Sequence, residues 1–282
     1  MKLSNETLTV LKNFSSINQG IQFKKGTKLT TVSSGKTVLA QANLKDDFPQ
    51  DFCIYDLNQF LSVNSLFKDS AELEFTDSDV IFKSGKRKTN YRMTVKEMIV
   101  VPPEKEITLP SIDCEFKLSQ EDYEWVMKTA SVLSSPHIGV NSDGETIEIV
   151  TFDAADNSAH TNSIQVGEGN GKKYKIVFKT ENIKLIPGSY DVKISFKGIG
   201  HFQNTKDDIQ YWIAFEAKDG FNSVGIGAFF NVTNLGQMLL LHVAFLPLIL
   251  GVITFIHVIM VRKRGVVPPI DSDESNTSGG LK

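Results

Sequence analysis

Reactive chemistry is scarce in this chain, and charge is absent from one long stretch of it. Only two cysteines, Cys53 and Cys114, occur in 282 residues. That is too few for a disulfide framework, and they lack metal-ligand spacing. Among the first 219 residues the histidines are His137, His160 and His201, far apart and in turn-like contexts, whereas metal ligands come in tight clusters. They read as solvated loop residues. Asp153, Asp156 and His160 suggest a carboxylate–histidine pair only in passing, since a polar hairpin loop accounts for them. There is no P-loop, no G-x-G-x-x-G after a strand, no H-E-x-x-H and no G-x-S-x-G. No enzyme and no cofactor are expected. The opening MKLSNETLTVLKNF lacks the apolar run of a secretory signal, and a reducing, cytosolic setting is expected for the first part of the chain. A formal net charge of −3 excludes a bulk polycation coating nucleic acid but leaves a local basic surface open.

Charge is distributed in two regimes. Residues 1–222 carry 26 Lys+Arg and 30 Asp+Glu, whereas no charged residue occurs from Gly220 to Val261. Two physically different objects share the chain.

The first reads as an α+β unit built twice. Ser4 is an N-cap for a helix with Leu8, Leu11 and Phe14 on its apolar stripe and Asn5, Thr9, Lys12 and Ser16 on its polar face. Alternating segments then predict strands at 21–23, 28–32 and 37–42, with Gly26 and Ser34-Gly35 at the turns. Asp56 caps a second helix running to Phe67. Strands at 71–75 and 80–82 follow, then a hairpin bearing Lys83, Lys86, Arg87, Lys88 and Arg92, which either touches phosphate or is simply solvated. The order recurs: Leu118-Ser119-Gln120-Glu121 repeats Leu3-Ser4-Asn5-Glu6 at an offset of 115. Its helix carries Tyr123, Val126, Met127, Ala130 and Leu133. Strands at 146–152, 158–166 and 176–178 lead into a short helix over 181–185, in which Asn182 and Leu185 match Asn58 and Leu61 at an offset of 124. Strands at 190–197 and 210–217 end the second copy, and Val100 to Glu106 forms a Pro-rich connector.

Four segments carry a family resemblance: MKLSNETLTVLKNFSSINQGI, FCIYDLNQFLSVNSL, VFKTENIKLIPGSYDVKISFKG and YWIAFEA. Over residues 1–219 the chain resembles the sliding clamps of large tailed bacteriophages, the DNA polymerase processivity factors. The resemblance implies two clamp domains, 1–106 and 107–219, with helices inside and sheets outside. It also implies a homotrimeric ring around duplex DNA, serving a replicative DNA polymerase and opened by a clamp loader in the host bacterial cytoplasm. A ring needs topological linkage and only weak phosphate attraction at its inner wall. Lys12, Lys128, Lys68 and Lys184, on or beside the helices, are the candidate DNA-facing cations. Clamp partners insert a short apolar peptide near the connector, and Ile99, Val100 and Val101 are candidates for its rim.

The second object is a 24-residue apolar run, Met238 to Val261, behind a linker at 220–237. As a helix it would be about 36 Å long, enough to cross a bilayer. Arg262-Lys263-Arg264 would keep the polar tail, 262–282, cytoplasmic. The run resembles a haem-binding helix of bacterial cytochrome b, with His242 and His257 in the ligand positions. Each haem in that family needs a histidine from another helix as well, so no metal is expected on this chain alone. The expectation is one transmembrane helix in the inner membrane, joined near Gly220 as in a fused reading frame. Two rival functions follow: a membrane-anchored electron-transfer fragment carrying an unrelated soluble module, or a duplicated module that binds only protein ligands.

Overall fold

The computed structural model describes residues 1–68, 71–104, 107–156, 158–215 and 246–264. The chain divides into two units, Met1–Phe221 and Asn222–Lys282.

In the first unit, Ser4 starts helix α1 (Asn5–Ile17) by accepting the Thr7 N–H at 3.2 Å, and is itself held by Asp46, to which its own N–H and hydroxyl donate. Leu8, Leu11, Phe14 and Ile17 are buried, while Asn5, Thr9, Lys12 and Ser16 are exposed, as the 3.6-residue period requires. Strands β1 (Ile21–Phe23), β2 (Gly26–Val32), β3 (Val38–Phe48) and β4 (Phe52–Ile54) lead into helix α2 (Leu57–Ser65), capped by Asp56 on the Gln59 N–H. Strands β5 (Glu72–Phe75), β6 (Asp79–Ser84) and β7 (Arg87–Arg92) complete the first half. The second half runs β8 (Cys114–Leu118), α3 (Gln120–Val132), β9 (His137–Asp143), β10 (Thr146–Phe152), β11 (Asn162–Glu168), β12 (Lys173–Lys179), β13 (Tyr190–Ser195), β14 (Ile199–Asn204) and β15 (Ile209–Ala214).

The wiring repeats. β4-β1-β2-β3 in the first half has the neighbour order of β12-β9-β10-β11 in the second, and β5-β6-β7 that of β13-β14-β15. Met1 exchanges backbone hydrogen bonds with Leu73 of β5, as β8 pairs with β13. The halves are not sealed from each other. β3 pairs antiparallel with β15, so one eight-stranded sheet, β4-β1-β2-β3-β15-β14-β13-β8, crosses between them. Along this seam Val38, Ala40, Ala42, Ile209, Tyr211 and Ile213 are buried on the side covered by α1. Val32, Leu39 and Trp212 pack on the opposite side with Ile107, just past the connector.

Several expectations need correction. The helix expected over 181–185 is a single 3-10 turn, Thr180–Asn182. At the offset of 124, Thr180 stands where Asp56 caps α2, but its hydroxyl donates to the Ser135 carbonyl and leaves the helix start uncapped. Strands β8, β9 and β14 were not expected. In β14 the inward positions are Gly200, Phe202 and Asn204, so apolar alternation is broken twice. Gly200 lies against the Phe178 ring, where a Cβ would come within 2.9 Å. His137 and His201 are strand residues rather than loop residues. His201 is half-buried, hydrogen-bonds Gln210 at 2.9 Å and stacks on Trp212.

In the second unit, helix α4 (Leu246–Arg264) contains His257, which is exposed. Among the described residues no helix is long and apolar enough to cross a membrane. Of the span expected over 238–261, residues 238–245 lie outside the described residues. His242 lies outside the described residues.

Candidate functional site

Three surfaces hold the residues singled out by sequence. The first is the helix-covered face. Lys12 on α1 and Lys128 on α3 are exposed on their helices. Lys68 follows α2 in the left-handed region, with φ 55°, and is exposed. Among the described residues none of these three is in an ion pair. Lys184 differs: half-buried just past the 3-10 turn, its amine donates to the Ser16 carbonyl at the end of α1. That bond crosses between the halves and satisfies one of the orphan carbonyls of a helix terminus. Beside it, Asn13 donates to the Lys184 carbonyl at 2.8 Å and accepts from the Tyr211 hydroxyl at 2.9 Å. Burial pushes the Tyr123 and Tyr211 hydroxyls well above their ordinary range and Tyr190 up to about 12, so all three stay protonated donors across the neutral range.

The second surface is the connector. Ile99 is half-buried over Gly20, where a Cβ would approach Ile99 Cγ2 to 2.6 Å. The exposed Val100 accepts from Asn18 Nδ2 through its carbonyl at 3.0 Å. Ile99 and Val100 border a shallow depression of about 250 Å³ with Tyr55, Met98 and the end of α1. Val101 is half-buried and does not border it. A second cavity, about 320 Å³, lies further along the connector, where Pro102, Pro103 and Ile107 pass over Leu39 and Trp212. Lys24, Lys25, Lys28 and Lys96 surround it. Sequence reasoning missed this cavity, because Trp212 and Leu39 are 173 positions apart and meet only through the register of β3 on β15.

The third surface consists of two unpaired sheet edges. At the internal seam Tyr211 lies opposite Ala40. Ala40 pairs with Thr31 as Asn162 pairs with Thr151, and Tyr211 pairs with Phe202 as Thr89 pairs with Phe82. β11 and β7 are thus the counterparts of β3 and β15. Both are sheet edges among the described residues, although their counterparts are joined.

Comparison with known proteins agrees with this geometry. Residues 4–101 match the family of DNA polymerase processivity factors, and residues 115–217 match the C-terminal domain of the gp45 sliding clamp. A sliding clamp of Vibrio phage KVP40 is 34% identical over 223 residues, covering 77% of this chain and all of that one. The sliding clamp of Enterobacteria phage T4 is 31% identical, covering 77% of this chain and 97% of its own length. Among solved structures, the A. fulgidus PCNA bound to the C-terminal region of FEN-1 superposes with a TM-score of 0.56 at 14% identity, covering 76% of this chain and 96% of that chain. The Helicobacter pylori beta clamp bound to a DNA ligase peptide gives 0.59 at 12%, covering 77% and 65%. At such identities these two show the fold alone. The two family regions end at residue 217, and the cytochrome b likeness of the C-terminal segment is not confirmed by these matches.

Proposed function

The chain belongs to the bacteriophage sliding clamp family, the DNA polymerase processivity factors, and from that premise we propose that three copies close into a ring around duplex DNA. The observation that carries this is the pair of edges β7 and β11. Each has a counterpart already joined inside the chain, and the partner each needs exists only on another copy. Because the two edges differ, the contact is heterologous, and repetition of such a contact closes a ring when its rotation allows. Three copies of two halves each would repeat one seam geometry six times.

In this ring α1, α2 and α3 line the hole, and Lys12, Lys128 and Lys68 hold phosphate without reading bases. Lys184 serves instead to fasten the two halves. The clamp domains are 1–106 and 107–219. The protein acts without catalysis, and a separate loader opens the ring. The connector cavity, apolar at Leu39, Trp212 and Ile107 and ringed by lysines, takes the apolar peptide of the polymerase or another clamp partner. Ile99 and Val100 border the neighbouring depression. Residues 220–282 lie outside the clamp proper.

The test is a disulfide across the proposed contact. Thr89→Cys together with Asn162→Cys in the full chain, oxidised at micromolar concentration, is expected to give a covalent product of three chains on a non-reducing gel. Both native cysteines are buried. A sample that stays one chain long overturns the ring.

A further inference from the structure

The internal seam and the open edges share a geometry but not a chemistry. At the positions where β15 has Ile209, Gln210, Tyr211, Trp212, Ile213 and Ala214, β7 has Arg87, Lys88, Thr89, Asn90, Tyr91 and Arg92. The buried contact residue Ile209 thus corresponds to the exposed Arg87. On the other side, the offset of 115 that aligns the caps Ser4 and Ser119 puts Glu124 at Thr9 and Trp125 at Val10. Val10 is partly buried against the core, whereas Trp125 is 52% exposed. Beside Trp125 lies an open groove of about 600 Å³ whose lining includes Glu121, Glu124 and Ile164 of β11. Ile164 corresponds to Ala42, the residue that faces Ile209 across the internal seam.

We infer that Arg87 of one copy seats in this groove of the next, its guanidinium over Trp125 and against the carboxylates of Glu121 and Glu124, and that this contact selects β11 over β3 as the partner of β7. The inference rests on the ring reading above. The register puts Arg87 opposite Ile164, on the strand face that turns toward the helix, because Tyr91, four pairs along and so on the same face, donates its hydroxyl to the Asp56 carbonyl beneath α2. Guanidinium stacks on indole and pairs with carboxylate at once. Among the described residues Arg87 and Lys88 are in no ion pair, and neither are Glu121 and Glu124. The groove lining sets Glu121, Asp122 and Glu124 against the single cation Lys128, so it keeps an acidic excess that complements Arg87. The same pattern disfavours the wrong pairing: β7 laid on β3 would set Arg87 against Ala42 and Val10, with Thr9 in place of Glu124 and with Glu6, the counterpart of Glu121, already paired with Lys45 at 2.7 Å. Specificity then comes from a charge that one seam satisfies and the other strands. The halves of one chain are closed by apolar burial, and the copies are closed largely by charge.

The experiment compares the full chain with Arg87→Glu, Glu124→Arg and the double exchange by sedimentation equilibrium over a salt series. Both substituted positions, Arg87 and Glu124, are exposed, so circular dichroism is expected to be unchanged. Each single reversal is expected to weaken self-association by roughly tenfold or more, and the double exchange to recover it, because like charges then meet in the singles and opposite charges in the double. Raising salt is expected to dissociate the wild-type ring while leaving its thermal midpoint nearly constant. A wild-type assembly indifferent to both single reversals overturns the seating of Arg87 and leaves the ring standing. Singles that weaken without recovery in the double also overturn it. A wild-type chain that stays monomeric removes the ring, and the seating with it.

Discussion

The hydroxyl of Tyr211 in the last strand donates to the side-chain oxygen of Asn13 in the first helix at 2.9 Å, across 198 positions of sequence. The same hydroxyl receives the Ile186 N–H at 3.3 Å. One buried phenol therefore joins α1, the segment before β13, and β15.

Tyr211→Phe should keep the fold and lower its stability. It leaves Asn13 and the Ile186 N–H without their partner in a buried place, a loss of about 1–3 kcal/mol. Denaturant unfolding should show a lower midpoint with an unchanged slope. An unchanged midpoint would mean that water replaces the hydroxyl.

Lys12→Glu with Lys128→Glu should shorten polymerase run length on every template sequence while leaving assembly intact. Removing phosphate contacts should also flatten the dependence of DNA affinity on salt, by about one unit of slope per lysine. Primer extension across a salt series measures both. A sequence-dependent loss would contradict contacts confined to phosphate.

Trp212→Ala should remove the floor of the connector cavity and abolish stimulation of the polymerase before it abolishes the ring. Trp212 also covers His201 and Leu39, so a fall in stability of about 3 kcal/mol or more is expected alongside. Charge reversal at Lys25, on the same rim but away from the packing, should weaken partner binding with no thermal change. If only Trp212→Ala acts, the cavity is a structural contact and not a docking site.

Acid should destabilise the fold in two stages. Burial holds His201 below its ordinary value, so between that value, near 6.5, and its lower folded value the unfolded chain binds the proton first, and stability falls as pH drops. The Gln59 N–H holds the Asp56 carboxyl below its usual range, so the stability that this cap supplies is present above about pH 4 and is lost on further acidification. His201→Gln should flatten the first stage, and Asp56→Asn, which still caps, should remove its share of the second, to which Asp143, held low by the Thr146 and Glu145 N–H groups, also contributes. Thermal midpoints between pH 3 and 7.5 measure both.

Deleting residues 220–282 should leave assembly and polymerase stimulation unchanged. Among the described residues the buried hydrophobic core runs from Leu3 to Ile213. Side-by-side thermal midpoints and primer extension are the measurement. A truncated chain that unfolds would make the C-terminal segment part of the clamp.

Sequence alone determined the parts whose signals are local. α1, α2 and α3 were legible from Ser4, Asp56 and Ser119 as caps and from apolar residues at helical spacing, and β1 and β10 from clean alternation. The duplication was legible because caps repeat at a fixed offset, and a helix start depends on only four neighbouring residues. Tertiary structure decided what depends on partners far along the chain. It turned the expected 181–185 helix into one turn, because Thr180 spends its hydroxyl on Ser135. It made β14 a strand despite Gly200 and Asn204, since ladder bonds to β13 and β15 satisfy its backbone on both sides. It moved Lys184 from the exposed lysines to the seam, and it set Trp212 over Leu39 to form a cavity no local pattern announces. A hydrogen-bond register between strands 173 residues apart has no signature in either strand, because the free energy that fixes it comes from burying both together.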